Sequence, residues 1–382
     1  MKPYFESMLP ELLPVTEEEI EAVSNALRSV PLTTMFGGCE IEAFEREFAS
    51  LFDAPHAVAV TSGTTALHAA LLAAEIGPGD EVIVTPFSFV ASVSVVVQVG
   101  ATPVFADVDP QTFVMDPVDV ARKITPRTRA ILPVHQCGYP VDMRALCQVV
   151  EGKRIVIIED SAAAHGAMVS GRAVGTIGDF GCFSFNIGKI LRTGEGGMVL
   201  ARSEDMDRRL RAIRVNGLIP TPQGTWVDRL GTNYTMMHST AAFGRVQVRN
   251  FHKLALRRRQ IGERIREGIE GLGASAPPDR PNLIRAYYST PFLLAPELAR
   301  FRDEIVDGIR AHNVPASRGN PQLLHQIDYI KKLSPTKSCP VAEAVRPRIF
   351  FFDPLPSLTD EQVEGVVSVF RLVLERYAAR IS

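Results

Sequence analysis

Apolar and polar residues alternate along the chain in a pattern that predicts helices separated by short buried strands. Residues 16–29 and 40–53 place apolar positions at helical spacing and predict two amphipathic helices around the Gly37-Gly38 turn. From Thr61 to about Leu200, helical stretches separate continuous apolar runs. These runs are 57–60, 81–84, 102–106, 130–134, 154–158, 181–185 and 197–201. Because such strands need cover on both faces, the pattern predicts an α/β fold with a large, mainly parallel seven-stranded sheet.

The second half of the chain predicts a long helix followed by a smaller α/β unit. Residues 236–270 read as one helix, and its Arg257-Arg258-Arg259 run is interpreted as solvated surface rather than a nucleic-acid patch. Beyond a linker rich in proline and small residues, the pattern predicts strands at 289–294 and 346–351 and helices at 297–312 and 358–379. The predicted domains are an N-terminal arm (1–15), a large domain with the long helix (16–270) and a small C-terminal domain (271–382).

Composition narrows the class of protein. The chain has 382 residues, 46% hydrophobic and 22% charged, with a formal net charge of −2, which gives no electrostatic case for binding nucleic acid or a membrane. No apolar run is long enough to span a bilayer, and the N-terminus lacks the plan of a signal peptide. The five cysteines are scattered without metal-ligand spacing, so we expect free thiols in a reducing cytoplasm and no metal site.

Lys189 is the most informative residue. A lone lysine in a glycine-rich loop is usually exposed, but here the apolar residues Phe183 and Phe185 precede it and the tight Gly194–Gly197 turn follows. An apolar setting lowers the pKa of an amine and keeps it nucleophilic.

Asp160 stands at the end of the apolar 154–158 run, where a carboxylate is costly to bury without a partner. It could cap the following turn, or a pyridinium nitrogen could supply its charge partner. A lysine amine and a carboxylate on a buried strand are what a pyridoxal phosphate (PLP) enzyme requires. The lysine forms a Schiff base, and the carboxylate keeps the pyridine nitrogen protonated.

Three further segments could complete such a site. The 61–67 segment opens a helix with small hydroxyl residues and glycine, so it is either a phosphate cradle or a simple N-cap; beside Lys189 and Asp160 the cradle is favoured, and Ser184 could add a hydroxyl. Phe89 follows a strand and could stack on a flat ring or pack in the core. His135 and His165 are interpreted as hydrogen-bonded structural histidines.

Taken in order, these segments resemble the DegT/DnrJ/EryC1/StrS family of PLP-dependent aminotransferases of sugar and cyclitol biosynthesis. The resemblance covers nearly the whole chain, at 62–67, 77–83, 100–105, 107–109, 133–135, 159–160, 165–167, 183–185, 189, 194–197 and 231–234. It implies PLP fold type I, the aspartate-aminotransferase-like fold, and a homodimer with active sites at the subunit interface.

The resemblance also assigns roles. Lys189 would form the internal aldimine and shuttle a proton, and Asp160 would pair with the pyridine nitrogen. Phe89 would stack on the ring, and Asn233 would reach the phosphate from the neighbouring subunit. The remaining phosphate ligands would be Gly63, Thr64 and Ser184.

The implied reaction is ping-pong. An amino acid, usually glutamate in this family, converts PLP to pyridoxamine phosphate, and the amine then passes to a nucleotide-linked keto-sugar or a keto-cyclitol, in antibiotic or cell-surface sugar biosynthesis. Two alternatives stay open: a PLP-dependent dehydratase or aromatising enzyme of the aminoshikimate type, and a non-catalytic PLP-binding regulatory protein. The family's known sugar dehydratases carry histidine in place of the lysine, so Lys189 disfavours that branch but not an aromatising dehydration that keeps the lysine.

Three departures from the family pattern concern substrate handling. Ala163 replaces the glutamine or histidine of many relatives near the cofactor's phenolic oxygen. Thr235 and His238 replace an arginine and a glutamate in the run that begins at Asn233. The segment 317–321 lacks the common His-Tyr-Pro pattern, which predicts an unusual acceptor.

Overall fold

The computed structural model describes Phe5 and residues 14–33, 35–36, 38–320 and 322–381. Its α-helices are α1 (Glu17–Ser29), α2 (Cys39–Leu51), α3 (Gly63–Ala73), α4 (Ala91–Gln98), α5 (Pro117–Lys123), α6 (Met143–Val150), α7 (Glu204–Arg214), α8 (His238–Gly268), α9 (Arg302–Arg310), α10 (Asp328–Leu333), α11 (Pro340–Val345) and α12 (Asp360–Ala378). Its strands are β1 (His56–Val60), β2 (Glu81–Val84), β3 (Thr102–Phe105), β4 (Thr128–Ile131), β5 (Val156–Asp160), β6 (Met168–Val169), β7 (Arg172–Ala173), β8 (Phe180–Ser184), β9 (Gly197–Ala201), β10 (Leu218–Thr221), β11 (Gly224–Val227), β12 (Ala274–Ser275), β13 (Leu283–Ile284), β14 (Thr290–Leu294), β15 (Ala316–Ser317) and β16 (Ile349–Phe352).

The large sheet has seven strands in the order β1-β9-β8-β5-β4-β2-β3. Strand β9 runs antiparallel to both of its neighbours, and β8, β5, β4, β2 and β3 pair in parallel. The mainly parallel seven-stranded sheet is therefore confirmed. The strand predicted at 154–158 is displaced by two residues, and Asp160 is the last residue of β5, at the strand end where the sequence placed it. Its N–H donates to the carbonyl of Pro133 at 2.8 Å, which fixes its backbone.

Helix α3 begins directly beyond the end of β1. Ser62 is its N-cap: the Ser62 hydroxyl accepts from the N–H of Thr65 at 3.1 Å, and the Thr65 hydroxyl accepts from the N–H of Ser62 at 2.8 Å. The helix is rich in alanine and mostly buried, which lets it pack closely on the sheet. Because α3 follows the carboxyl end of β1, its first turn lies at the same edge of the sheet as Asp160 at the end of β5.

Helix α8 confirms the long helix predicted over 236–270. Its first half buries Ala241 and Phe251 against residues of the large sheet, and its second half buries Ile261 and Ile265 against the four-stranded sheet β12-β14-β16-β15. Because one helix serves both cores, the division at residue 270 stays a prediction. The strands predicted at 289–294 and 346–351 are β14 and β16, and the helix predicted at 358–379 is α12. The helix predicted at 297–312 starts as a 3₁₀ turn, Pro296–Phe301, before α9.

The prediction that the arginine run on α8 is solvated is wrong for its central member. Arg258 is buried at 2% exposure, whereas Arg257 pairs with Asp360 at 2.7 Å and Arg259 lies near Glu263 at 3.7 Å. Successive helical residues point about 100° apart. Arg258 consequently faces inward, where its Nη2 donates to the carbonyl of Tyr288 at 2.9 Å.

The hairpin β10–β11 has no counterpart among the predicted elements. Its strands are short and largely exposed and the first contains Pro220, so they lack the apolar run that marked the buried strands. Elsewhere, no helix in the described ranges combines the length and apolar character needed to cross a bilayer.

Candidate active site

A cavity of about 490 Å³ opens where the carboxyl ends of β5 and β8 meet the first turn of α3. In α/β sheets this edge is the usual position of a ligand. The family resemblance assigned roles to seven residues. The cavity is lined by six of them: Gly63, Thr64, Phe89, Asp160, Ser184 and Lys189.

Asp160 is a buried carboxylate at the cavity wall. One of its oxygens accepts from the Ser92 hydroxyl at 2.9 Å and the other from the N–H of Ala162 at 3.2 Å. Burial raises the pKa of Asp160, and the Ser92 and Ala162 hydrogen bonds and the charge of Lys189 oppose that rise. The carboxylate therefore favours a cationic partner in the cavity.

Glu159, the neighbour of Asp160, anchors the same strand end from behind. Its carboxylate accepts from the N–H groups of Gly175, Ile177 and Gly178 at 2.8, 2.8 and 2.6 Å. It also pairs with Nε2 of His135 at 3.0 Å. The interpretation of His135 as a hydrogen-bonded structural histidine is confirmed, and the network holds β5 and the 175–178 loop in register.

His165 differs from His135. It is fully buried, its ring lies 5.4 Å from Phe183 and 6.0 Å from Phe185 between centroids, and neither ring nitrogen finds a hydrogen-bond partner in the described part of the chain. The predicted hydrogen bond is therefore wrong for His165. Burial lowers its pKa to about 3, so the ring is uncharged at neutral pH.

Lys189 extends its side chain into the cavity from the loop after β8. Its amine lies 4.2 Å from the centroid of the Tyr288 ring. Burial lowers the pKa of Lys189; the Asp160 carboxylate opposes this effect and Arg258 adds to it. The lowered pKa agrees in direction with the sequence-based prediction of a more neutral, more nucleophilic amine, although charged groups also surround Lys189.

The first turn of α3 supplies both an N-cap and a cradle. Ser62 serves as the cap, and the N–H groups of Gly63 and Thr64 are left at the cavity, since the first residues of a helix have no partner within it. A Cβ on Gly63 would lie 2.6 Å from Cβ of Ser184, so only glycine fits there. Free N–H groups, a positive helix end and the Ser184 hydroxyl suit a phosphate.

Phe89 and Asn233 lie in different settings. Phe89 is 68% exposed at the cavity wall, so its alternative role in the core is excluded. Asn233 does not line the cavity of its own chain; it is exposed, and its Oδ1 accepts from the N–H of Thr235 at 3.2 Å. The role of Asn233 across a subunit interface stays a prediction.

A second cavity of about 250 Å³ adjoins the first and shares Gln136, Cys137, Tyr288 and Asn320 with it. Residues 317–320 of the unusual 317–321 segment line this second cavity, beside the first cavity, and residue 321 lies outside the described residues. Ala163 lines the first cavity. In the described ranges, no group of three or more His, Cys, Asp or Glu side chains could hold a metal ion.

Sequence reasoning missed several residues of the site. Ser92 lies on the buried face of α4, and Ser88 lies four residues before it. The hydroxyl of Ser88 donates to that of Ser92, and their spacing in the sequence could have indicated this buried pair. Tyr288 and Arg258 reach Lys189 from segments distant in sequence, and no local pattern points to them.

Three comparisons with known proteins agree with this geometry. The profile of the DegT/DnrJ/EryC1/StrS aminotransferase family matches residues 14–371. UDP-N-acetyl-3-dehydro-alpha-D-glucosamine 3-aminotransferase of Acidithiobacillus ferrooxidans is 35% identical over 338 residues, 88% of this chain and 89% of that protein. A solved aminotransferase from Psychrobacter cryohalolentis superposes with a TM-score of 0.91 at 33% identity, covering 97% of this chain and 100% of that one. The structure of 3-amino-5-hydroxybenzoic acid synthase superposes with a TM-score of 0.89 at 27% identity, covering 97% and 98%.

Proposed function

The chain belongs to the DegT/DnrJ/EryC1/StrS aminotransferase family and is a PLP-dependent aminotransferase, and on that premise we propose a donor, an acceptor and a role for each site residue. The amino group comes from an amino acid, with glutamate as the first candidate. It passes to the keto group of a nucleotide-linked sugar or a cyclitol in a ping-pong reaction. The observation that supports the proposal is that one cavity is lined by Lys189, by Asp160 and by the phosphate cradle formed by Gly63, Thr64 and Ser184.

Each group in the cavity suits one part of the cofactor. PLP supplies an aldehyde that condenses with amines and a ring that takes up an electron pair when a C–H bond of the substrate breaks. Asp160 would accept a hydrogen bond from the protonated ring nitrogen, and Phe89 would cover one face of the ring. Lys189 would hold the cofactor and then carry the proton at its Nζ between cofactor and substrate carbons.

The phosphate end completes the fit. Gly63 and Thr64 would donate backbone N–H groups to the phosphate, and Ser184 would donate its hydroxyl. No side chain fits at Gly63, so the phosphate could approach the helix end closely. We propose that Asn233 of a second subunit closes this end.

We also infer a homodimer. The residues around the hairpin β10–β11 include large apolar side chains that this chain leaves exposed: Trp226 at 69%, Val227 at 64% and Leu230 at 84%. Exposed apolar groups of this kind commonly mark a protein interface. We place the enzyme in the cytoplasm, where its five free cysteines would stay reduced.

The second cavity supports the acceptor assignment. It adjoins the cofactor cavity at Tyr288 and is lined by polar groups such as Gln136, Ser317 and Asn320, which can bind the hydroxyls of a sugar or cyclitol ring. We propose that the acceptor ring lies there while its keto carbon faces the cofactor.

An aromatising dehydration is the second candidate. It is supported by the similarity to 3-amino-5-hydroxybenzoic acid synthase and by the retained Lys189. A non-catalytic role is disfavoured because Lys189 and Asp160 are both in place.

Absorption spectroscopy and product analysis test the proposal. The purified protein is expected to be yellow, and glutamate should bleach it as the amino group moves to the cofactor. Mass spectrometry after adding keto-sugars or keto-cyclitols should then show replacement of C=O by C–NH₂. Loss of water from the product would support the dehydratase, and a spectrum unchanged by a panel of amino donors would contradict the aminotransferase reaction.

A further inference from the structure

Arg258 is a buried cation held by a carbonyl rather than a carboxylate. It is 2% exposed, its Nη2 donates to the carbonyl of Tyr288 at 2.9 Å, and its Nε has no hydrogen-bond partner in the part of the chain that the structure describes. Burial lowers the pKa of Arg258 to about 10, so the guanidinium is still charged at neutral pH. Buried charges are costly and are normally paired. The charge of Asp353 favours the charged guanidinium, although the hydrogen bond of Arg258 goes to the Tyr288 carbonyl.

Arg258 and Lys189 both lie against the Tyr288 ring. The amine of Lys189 lies 4.2 Å from the ring centroid, and the central carbon of the Arg258 guanidinium lies 5.5 Å from the same centroid. A like charge nearby disfavours the charged form of an amine. A lysine desolvated and placed next to another cation is a known way to obtain a neutral, nucleophilic amine.

The other groups around Lys189 act in the opposite direction or carry no charge. Asp160 and Asp353 each favour the protonated amine, while the Cys137 thiol, whose pKa burial raises, and the buried His165 are neutral. Burial and Arg258 are the effects that oppose protonation.

We propose that Arg258 is a positioning residue for Lys189: its buried guanidinium, hydrogen-bonded to the carbonyl of Tyr288, shifts the Lys189 amine toward its neutral form, which acts as nucleophile and base. The inference rests on the proposed function of Lys189. The simpler reading is that Arg258 only ties the 286–289 segment to α8. That reading predicts no change in the protonation of Lys189 when Arg258 is replaced.

Competitive acetylation separates the two readings. Full-length, cofactor-free protein is treated with trace acetic anhydride over a series of pH values, and peptide mass spectrometry gives the labelling rate of each lysine. At pH values where Lys189 is mostly protonated, Arg258→Gln should label Lys189 about three- to tenfold more slowly than the wild type, because a tenfold smaller neutral fraction corresponds to one pKa unit. Arg258→Lys, which keeps the charge, should restore most of the rate.

The matched control is Arg259→Gln, which removes the same charge one residue away, where Arg259 faces Glu263. Lys253 on the same helix serves as an internal standard in every sample. A folded Arg258→Gln protein with the wild-type Lys189 rate would overturn the proposal, and so would an equal effect of Arg259→Gln.

If Arg258→Gln does not fold, Arg258→His carries the test. Histidine can still donate a hydrogen bond but is largely uncharged above its ordinary pKa, so Lys189 should be labelled more slowly than in the wild type above that pH; an unchanged or faster rate would refute the proposal. Because labelling needs no cofactor, its outcome is independent of whether PLP binds, and failure of the proposed function is recognised separately by absent cofactor chemistry.

Discussion

The two cavities that meet at Tyr288 are built differently. The cofactor cavity is lined by the last residues of β5 and β8 and the first turn of α3, so the backbone at Asp160, Ser184 and Gly63 is fixed by the sheet and by the helix cap. The second cavity is lined largely by connecting segments, among them 317–320. Rigid elements can hold chemistry at fixed distances, whereas connecting segments can vary without disturbing the core. The contrast is consistent with the proposed division of roles, in which catalysis occurs in the first cavity and the acceptor binds in the second.

The largest effect should come from Asp160→Asn. An amide cannot neutralise a protonated ring nitrogen, so we expect kcat to fall about 10²- to 10³-fold with the fold intact, the size of loss seen when a buried electrostatic partner is removed from an active site. Steady-state kinetics with glutamate as donor measure kcat, and circular dichroism shows whether the fold is retained. Asp328→Asn, an exposed residue of α10 that lines neither cavity, is the control; an equal fall in kcat there would show that the loss is not specific to the first cavity.

Gly63→Ala should have the next largest effect. The new Cβ would lie 2.6 Å from Cβ of Ser184, so we expect a loss of about 1–3 kcal/mol in unfolding free energy and weaker PLP binding. Denaturant unfolding and cofactor titration measure these effects. Gly77→Ala, where the nearest atom would be 3.9 Å away, is the control. The double variant Gly63→Ala/Ser184→Gly should regain stability, and additive losses instead would show that the clash is not the cause.

A change in the second cavity should act on one half-reaction only. Ser317→Ala is expected to raise the KM for the acceptor about tenfold while the half-reaction with glutamate keeps its rate, since Ser317 lines only the second cavity and loss of a polar contact to a substrate weakens its binding. Single-turnover measurements of each half-reaction provide the test. A matching loss in the glutamate half-reaction would contradict the division of roles between the cavities.

The smallest effect should appear in the stability of the cofactor-free protein. Burial raises the pKa of Asp160, so the folded state holds its proton more tightly than the unfolded state. The stabilisation from this group is complete below the unfolded pKa of Asp and is lost as pH rises through the higher folded pKa. As pH rises from the unfolded pKa of Asp through the folded pKa of Asp160, the melting temperature of the wild type should therefore fall relative to that of Asp160→Asn. Parallel curves for the two proteins would contradict a raised pKa.

Local sequence patterns predicted more of the residues that line the first cavity than of those that line the second. Asp160 ends β5, Gly63 begins α3, and Lys189 follows β8 in the next loop, so all three lie close in sequence to a strand or helix that the local pattern predicts. Tyr288 and Arg258 reach the site through contacts between distant segments, which local periodicity cannot show. Arg258 was misassigned because three adjacent arginines look like surface, although helical geometry turns one of them inward. Asn233 depends on a second chain, and its role is still a prediction.

Borohydride reduction of the purified protein, followed by peptide mass spectrometry, tests the central claim most directly. If the Lys189 amine condenses with the PLP aldehyde in the cavity that contains Asp160, reduction will leave one phosphopyridoxyl group per chain, on the peptide that contains Lys189. A group found on another lysine, or on none, would contradict the account.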